Sequence, residues 1–151
     1  MDALDREILS LLQDDGRMSA TELAGCIGLS LSACHRRLKD LENSGAIERY
    51  RAIVSPEAVG LGFEAIVFVT LERTGVETVA DFEAAVTEIP AITDAQRLFG
   101  QPDYLFRVLT TDLAAYQQLF DTQLSGLPGV QRLTSTLVMK RIGDDRTVPI
   151  A

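Results

Sequence analysis

The sequence predicts an α+β protein in which three short helices precede an antiparallel sheet that carries two helices on one face. Two observations predict this fold class. Apolar residues recur at helical spacing in the first part of the chain, and from residue 61 the pattern follows the order β-α-β-β-α-β. That split βαβ order is typical of a ferredoxin-like domain, so we predict one unit over residues 1–60 and a second over residues 61–151.

The first two helices are indicated by apolar spacing and by capping residues. A helix over residues 3–14 is predicted by a series of apolar residues at helical intervals: Leu4, Ile8, Leu11 and Leu12. Ser19 and Glu22 then form a capping-box pattern that opens a second, short helix. Gly28 is expected to end this helix.

A third helix is predicted to begin at Ser30 or Ser32 and to run to about Ser44, where Gly45 ends it. The segment "IERYRAIV", residues 47–54, has enough β-branched and aromatic residues to pair as a small hairpin. The first unit is therefore predicted to be three helices with a short hairpin linker.

The second unit alternates strand and helix signals. "FEAIVFVTLE" predicts a first strand, and a helical pattern that Pro90 closes follows it. "ITDAQRLF" and "YLFRVLTT" predict two further strands joined by the turn "GQPD". Asp112 is placed to cap the helix "LAAYQQLFDTQLS", and "VQRLTSTLVMKRI" alternates as a fourth strand.

The charge pattern has one local inversion. The chain has a net charge of -8, and residues 1–60 hold seven Lys and Arg against ten Asp and Glu, which gives -3. Between Ser30 and Lys39, however, the sequence has four basic residues, His35, Arg36, Arg37 and Lys39, and no Asp or Glu. An acidic protein is not a generic nucleic-acid binder, so any contact with a polyanion is expected to be confined to this helix.

Projecting the third helix at about 100° per residue separates two faces. Cys34, Leu38 and Leu41 fall on one face and are expected to pack on the first two helices. Polar and basic residues fall on the opposite face: Ser32, His35, Arg36 and Lys39. Because two helices joined by a Gly-containing turn suggest a helix-turn-helix, we predict that this face contacts double-stranded DNA.

Other residues of the first unit are candidate contacts. Ser30 is expected to bind phosphate or to cap the helix, and Arg49 and Arg51 alternate on one side of the predicted hairpin, where they would meet the DNA backbone. Arg37 lies at the margin of the two faces. Two interpretations stay open for it: a phosphate contact, or an ion pair with Glu42 or another acid.

Several classes of site are not indicated. The two cysteines, Cys26 and Cys34, have no further ligand nearby and are expected to be free and mostly buried in a reducing cytoplasm. No signal peptide or membrane-length apolar run is present. Nucleotide-binding and common catalytic motifs are missing, and the only His is His35, so no catalytic residue, metal or cofactor is predicted.

The sequence resembles the Lrp/AsnC (leucine-responsive, feast/famine) transcription regulators over essentially its whole length. The matching pieces of the first half are "LDREILSLLQDDGRMS", "ELAGCIGLSLSACHRRLKDLENSGAI" and "YRAIVSPEAVGLGF". Those of the second half are "FGQPDYLFRV", "LSGLPGVQRLTSTLVMK" and "VPI". The resemblance implies a winged helix-turn-helix followed by a βαββαβ (RAM-type) domain that dimerises, often assembles to tetramers or octamers, and binds a small effector, usually an amino acid.

The resemblance also implies an effector pocket beside the "GQPD" turn, at the seam between subunits. It carries that role onto Gly100, Asp103 and Thr136, with Asp103 accepting from an α-ammonium and backbone N–H groups near Gly100 binding a carboxylate. The remaining candidates are neighbours in the turn and on the last strand: Gln101, Tyr104 and Thr134, with Ser135 between the two threonines. A structural role for these residues, as a turn and as β-forming residues, is the alternative.

The sequence departs from the family pattern at two places. Leu31 and Ala33 stand where Pro is common at the start of the recognition helix, and Gln101 replaces an acid of the turn. Two other functions stay open: an amino-acid sensor without DNA binding, and an enzyme resembling the sirohaem decarboxylases of the same fold family. The second unit offers Arg97, Arg107 and Arg132 for such chemistry, but no His.

Overall fold

The computed structural model describes residues 1–72, 75–143 and 147–150. The chain divides into two compact units, of which the first comprises Met1–Ile53 and the described residues after Arg141, and the second comprises Val54–Arg141. The domain boundary predicted between residues 60 and 61 stays a prediction. The compact units divide earlier, between Ile53 and Val54. The described residues after Arg141 belong to the first unit, and Val148 among them contacts its first helix.

The first unit contains the three predicted helices. These are α1 (Ala3–Asp14), α2 (Ala20–Ile27) and α3 (Leu31–Asn43). They pack around one apolar cluster whose buried members are Ile8, Leu23, Ala24, Ile27, Cys34 and Leu41, with Leu38 partly buried against them. The apolar face predicted for α3 is therefore confirmed.

Local capping explains where these helices begin and end. Asp2 and Asp5 form a capping box at α1, and Ser19 and Glu22 form the predicted one at α2. Gly28 ends α2 in the left-handed region at φ 68°, a backbone conformation that residues with a side chain rarely adopt. The tight turn that follows brings the chain directly into α3.

Two predictions for the first unit are wrong. Residues 47–54 contain no strand, so the predicted hairpin is not formed within this chain. Their apolar side chains are largely solvent-exposed, since Ile53 is 71% exposed, and an isolated two-stranded hairpin without a packed face is marginally stable. Cys26 is exposed rather than buried, because it lies on the solvent side of α2, whereas Cys34 is buried; both are free, as predicted.

The second unit has the predicted β-α-β-β-α-β order. Its elements are β1 (Phe63–Leu71), α4 (Val76–Thr87), β2 (Ile92–Arg97), β3 (Tyr104–Thr110), α5 (Leu113–Thr122) and β4 (Val130–Leu137). The strands form one antiparallel sheet in the order β2-β3-β1-β4. β4 ends five residues before the predicted limit at residue 142, and Asp112 caps α5 as expected.

The sheet has two distinct faces. In β1 the residues Ala65, Val67, Val69 and Leu71 are buried and alternate with half-buried ones. The buried face packs against α4 and α5, and its core includes Phe82, Phe106, Tyr116 and Leu124. Residues that pair across strands share a face, so the register assigns each site residue to one side or the other.

Candidate functional site

The predicted DNA-binding face is present on α3. Ser32, His35, Arg36 and Lys39 are all exposed, whereas Cys34 on the opposite side is fully buried. The buried side fixes the rotation of the helix, because Cys34 and Leu41 are both part of the core cluster. The packing of the buried side therefore holds the polar and basic side chains of the opposite face in solvent.

The basic side chains of this face have no partner within the described part of the chain. His35, Arg36 and Lys39 form neither an ion pair nor a side-chain hydrogen bond with any described residue. In a chain of net charge -8, unneutralised neighbouring cations are the feature that a phosphate backbone would complement. We name His35, Arg36 and Lys39 the cationic face.

The two serines at the start of α3 have structural roles as well. Ser30 is the N-cap, and its hydroxyl accepts from the backbone N–H of Ala33 at 3.3 Å. The Ser30 and Ser32 hydroxyls are 3.3 Å apart. Of the two caps that the sequence allowed, the structure shows Ser30, and the exposed Ser32 hydroxyl forms a hydrogen bond with it.

Arg37 is engaged within the protein. Its Nη1 donates to Oδ2 of Asp2 and to Oδ1 of Asp5, both at 2.7 Å. The backbone N–H of Asp5 and the Arg37 guanidinium together hold the pKa of Asp2 below its usual value. Of the two interpretations left open for Arg37, the structure shows the ion pair, and its partners lie on α1 rather than at Glu42.

The linker arginines are exposed but are not arranged on a strand. Arg49 and Arg51 lie in residues that have no regular secondary structure, so the predicted alternation along a hairpin is absent. Between them, Tyr50 donates from its hydroxyl to Glu42 Oε1 at 3.0 Å. Burial, followed by the Glu42 carboxylate, raises the pKa of Tyr50 to about 12.

The turn between β2 and β3 is built on Asp103. Its Oδ2 accepts from the backbone N–H of Leu71 at 2.8 Å, and its backbone N–H donates to the Val69 carbonyl at 2.9 Å. The next residue, Tyr104, is buried and donates to Glu83 Oε1 at 2.8 Å. The turn thus has a structural function whether or not a ligand binds beside it.

The six predicted effector residues do not form one site in a single chain. Gly100, Asp103 and Tyr104 line a cavity of about 280 Å³. Gln101 and Thr134 line a second one of about 260 Å³, and Thr136 lines neither. The register explains the split.

Tyr104 pairs with Val69 on the helix-covered face of the sheet. Thr134 and Thr136 pair with Phe68 and Ile66 on the opposite face. The resemblance places the effector pocket at the seam between subunits, so the shared pocket of these six residues stays a prediction about an assembly of chains.

The first cavity contains a residue that the effector prediction missed. Arg97 lines it together with Asp103, and apolar walls come from Leu71, Val79 and Leu98. Arg97 pairs with Tyr104 in the sheet and lies 3.8 Å from Glu83. The signal available in the sequence was its position at the end of β2, immediately before the turn.

The first unit has three helices and an outward cationic face, and the second is a split βαβ unit with a small charged cavity. This combination is typical of two-domain regulators, which pair a DNA-binding module with a ligand-binding module. Family models match both units: residues 1–48 match winged helix-turn-helix DNA-binding domains, and residues 64–148 match the Lrp/AsnC ligand-binding domain. The chain belongs to the Lrp/AsnC family of transcriptional regulators.

Similar proteins cover nearly the whole chain. The DNA-binding transcriptional activator DecR of Escherichia coli K12 is 33% identical over 150 residues, which is 99% of each chain. The leucine-responsive regulatory protein of Salmonella typhimurium is 34% identical over 94% of this chain and 87% of its own. The crystal structure of the Neisseria meningitidis transcriptional regulator NMB0573 in complex with L-Met is 36% identical, with a TM-score of 0.93 over 99% of this chain and 96% of that one.

Two kinds of feature are absent from the described residues. None of the helices in the described ranges is long and apolar enough to cross a membrane. Over the same ranges, His, Cys, Asp and Glu side chains form no group of three or more that is able to ligate a metal ion.

Proposed function

We propose that the cationic face of α3 reads an operator in double-stranded DNA and that an amino acid bound by the second unit modulates this binding or the assembly state. The observation that carries the proposal is the contrast between neighbouring arginines. Arg37 is neutralised by two acids, whereas Arg36 and the rest of the cationic face have no partner among the described residues. An unpaired cationic surface in an acidic chain is best explained by an anionic partner.

Each residue then has a distinct task. Arg36 and Lys39 contact base edges or phosphates in the major groove, and His35 lies beside them. Ser32 binds a phosphate, while Ser30 holds the helix start. Arg49 and Arg51 bind the backbone on either side of the groove.

The decisive experiment removes charge from the cationic face alone. A double variant with Arg36→Ala and Lys39→Ala should lose operator binding in gel-shift assays while keeping its oligomer size. The matched control is Arg6→Ala with Arg17→Ala, which removes the same charge from exposed positions on α1 and after it. Specific gel shifts that survive in the first variant would contradict the proposal.

For the effector we propose an α-amino acid in the cavity of about 280 Å³. Asp103 supplies a carboxylate for the ammonium group, and Arg97 with the backbone N–H groups near Gly100 supplies donors for the carboxylate. Leu71, Val79 and Leu98 favour an apolar side chain. A thermal-shift screen of the twenty amino acids, followed by calorimetry, tests this class of ligand.

Assembly completes the proposal. The sheet face that carries Ile66, Phe68 and Leu105 is only half-buried, and two copies joined through it would make a homodimer. Such a dimer presents two α3 helices to a pseudo-palindromic operator, and further association to a tetramer or octamer raises avidity. Light scattering with and without the amino acid measures both steps.

We propose a regulator rather than an enzyme, located in the cytoplasm with its DNA. Of the three arginines that an enzyme of this fold would use, Arg107 is bound by Glu64 at 2.8 Å. The only His lies on α3, in the other unit. Addition of a tetrapyrrole should accordingly cause no Soret shift.

A further inference from the structure

One side chain of the first helix binds both main-chain polar groups of a residue far along the chain. Gln13 Oε1 accepts from the backbone N–H of Val148 at 2.6 Å, and Gln13 Nε2 donates to the Val148 carbonyl at 3.1 Å. The two residues are 135 positions apart in sequence. We call residues 147–150 the returning segment.

The chemistry of this contact is main-chain recognition. A primary amide presents one donor and one acceptor side by side, and an extended residue presents the complementary pair, as at the edge of a β-strand. The Val148 side chain takes little part, since Val148 is 69% exposed. The contact therefore depends on the backbone of residue 148 and not on its side chain.

The chain that leads to the returning segment is also fixed where it leaves the second unit. After β4, the backbone N–H of Val138 donates to the Glu64 carbonyl at 3.0 Å. Three residues later, Arg141 Nη2 donates to the Glu64 carboxylate at 2.9 Å. Ordering residues costs conformational entropy, so these contacts indicate that the chain is held at Val138 and Arg141 as well as at Val148.

We propose that the returning segment is a docking peptide for α1, with Gln13 as its receptor, and that it gives the ligand-binding unit a second tie to the DNA-binding unit. Residues 53 and 54 are the first tie. The coupling part of this inference rests on the proposed function, because it requires an effector. A change in the second unit would then reach the helix-turn-helix through α1 as well as through the linker.

The docking itself is tested without DNA or effector, by NMR and amide hydrogen exchange on the full chain. In the unaltered protein the Val148 amide should be protected, and Gln13→Met, which keeps length and helix propensity, should abolish that protection. Val148→Pro removes the donor and should return the Gln13 side-chain amide signals to solvent-exposed values. Val148→Ala keeps the backbone and should leave them unchanged. An unprotected amide at residue 148 in the unaltered protein would overturn the docking. So would solvent-exposed Gln13 side-chain signals in Val148→Ala.

A mixing experiment tests whether the peptide docks on its own chain. Gln13→Met chains have a free segment, and Val148→Pro chains have a free receptor. Within-chain docking predicts no restored protection when the two are mixed and co-refolded. Restored protection at the level of mixed dimers would overturn the within-chain assignment.

The coupling is tested by the effect of the amino acid on DNA affinity. Coupled sites typically change each other's affinity about 5-fold or more. In Val148→Ala the effect of the amino acid on DNA affinity should equal that of the unaltered protein. In Val148→Pro this effect should fall to within about twofold, while amino-acid binding itself stays unchanged. An unchanged effect in Val148→Pro would overturn the tie. If no amino acid binds at all, the proposed function fails, and the exchange experiments still decide the docking.

Discussion

Asp103 accepts a hydrogen bond from the backbone N–H of Leu71 at 2.8 Å, and this bond joins the β2–β3 turn to the end of β1. The backbone of the same residue is held on both sides, by the Val69 carbonyl and by the N–H of Leu98. Only one carboxylate oxygen is used by Leu71, so the second is available to a ligand in the adjoining cavity. Under the proposed function, stability and ligand recognition share this one side chain.

Two substitutions at Asp103 should separate these functions. Asp103→Asn keeps an oxygen for the Leu71 N–H but removes the charge, so the fold should be nearly unchanged while amino-acid binding weakens. Asp103→Ala leaves that N–H without its partner and should cost about 1–3 kcal/mol of unfolding free energy as well. Both should still bind DNA. Chemical denaturation and calorimetry give the two readings, and unchanged amino-acid binding in either variant contradicts the role of the charge.

Gly129 should tolerate no side chain. It has φ +68°, and a Cβ built there lies 2.6 Å from Cγ2 of Thr78. Gly129→Ala is expected to destabilise the second unit by at least about 1–2 kcal/mol, the usual cost of the left-handed conformation, with the clash in addition. In a Thr78→Ser background the clash is removed, and only the conformational cost should remain. Equal destabilisation in both backgrounds would show that the clash contributes nothing.

The two buried tyrosines, Tyr104 and Tyr116, should resist ionisation until the protein unfolds, whereas Tyr50 is 49% exposed. Burial, followed by the Glu42 and Glu83 carboxylates respectively, raises the pKa of Tyr50 and of Tyr104 to about 12, and burial raises that of Tyr116. Because the folded pKa exceeds the unfolded value of 10.0, this stability is fully present below pH 10 and is lost as the pH rises towards 12.

The measurement is a tyrosinate absorbance titration, which the absence of Trp simplifies. We expect the absorbance change from Tyr104 and Tyr116 and the circular dichroism to change together above pH 10. Tyrosinate formation near pH 10 in a fully folded chain would contradict the burial of Tyr104 in particular.

The parts of this molecule that the sequence predicted are those set by neighbours in the chain. The Ser19–Glu22 capping box and the Gly28 stop are three- or four-residue signals, and the buried side of α3 follows from helical periodicity. The Leu71–Asp103 and Gln13–Val148 contacts join residues 32 and 135 positions apart, and no local pattern encodes them. The split of the effector residues depends on strand register, which is fixed by tertiary pairing.

Acid should weaken the first unit through its two capping boxes. The backbone N–H of Asp5 and Arg37 lower the pKa of Asp2, and the Ser19 hydroxyl and backbone N–H lower that of Glu22. Since both folded pKa values lie below the unfolded ones of 3.8 and 4.5, this stability is present above about pH 4.5 and is lost as the pH falls through the folded values.

Matched variants isolate this acid dependence. Asp2→Asn and Glu22→Gln keep hydrogen-bonding caps but do not titrate, so their thermal midpoints should vary less between pH 5 and pH 3. A midpoint that falls equally in the unaltered protein and in the double variant would assign the acid sensitivity to other carboxylates. Circular dichroism at several pH values provides the comparison.

Arg37 and Arg36 are adjacent cations that should behave in opposite ways. Arg37 bridges Asp2 and Asp5 at 2.7 Å, so Arg37→Ala leaves two acids near each other without a counter-charge and should lower the thermal midpoint of the first unit. Its effect on DNA affinity well below that midpoint should be small. Arg36→Ala should leave the midpoint unchanged, weaken operator binding, and reduce the slope of log K against log salt by about 0.9 if the lost contact is a phosphate. A salt slope that falls in Arg37→Ala, with an unaltered midpoint, would instead make Arg37 a phosphate contact and would show that its ion pair breaks when DNA binds.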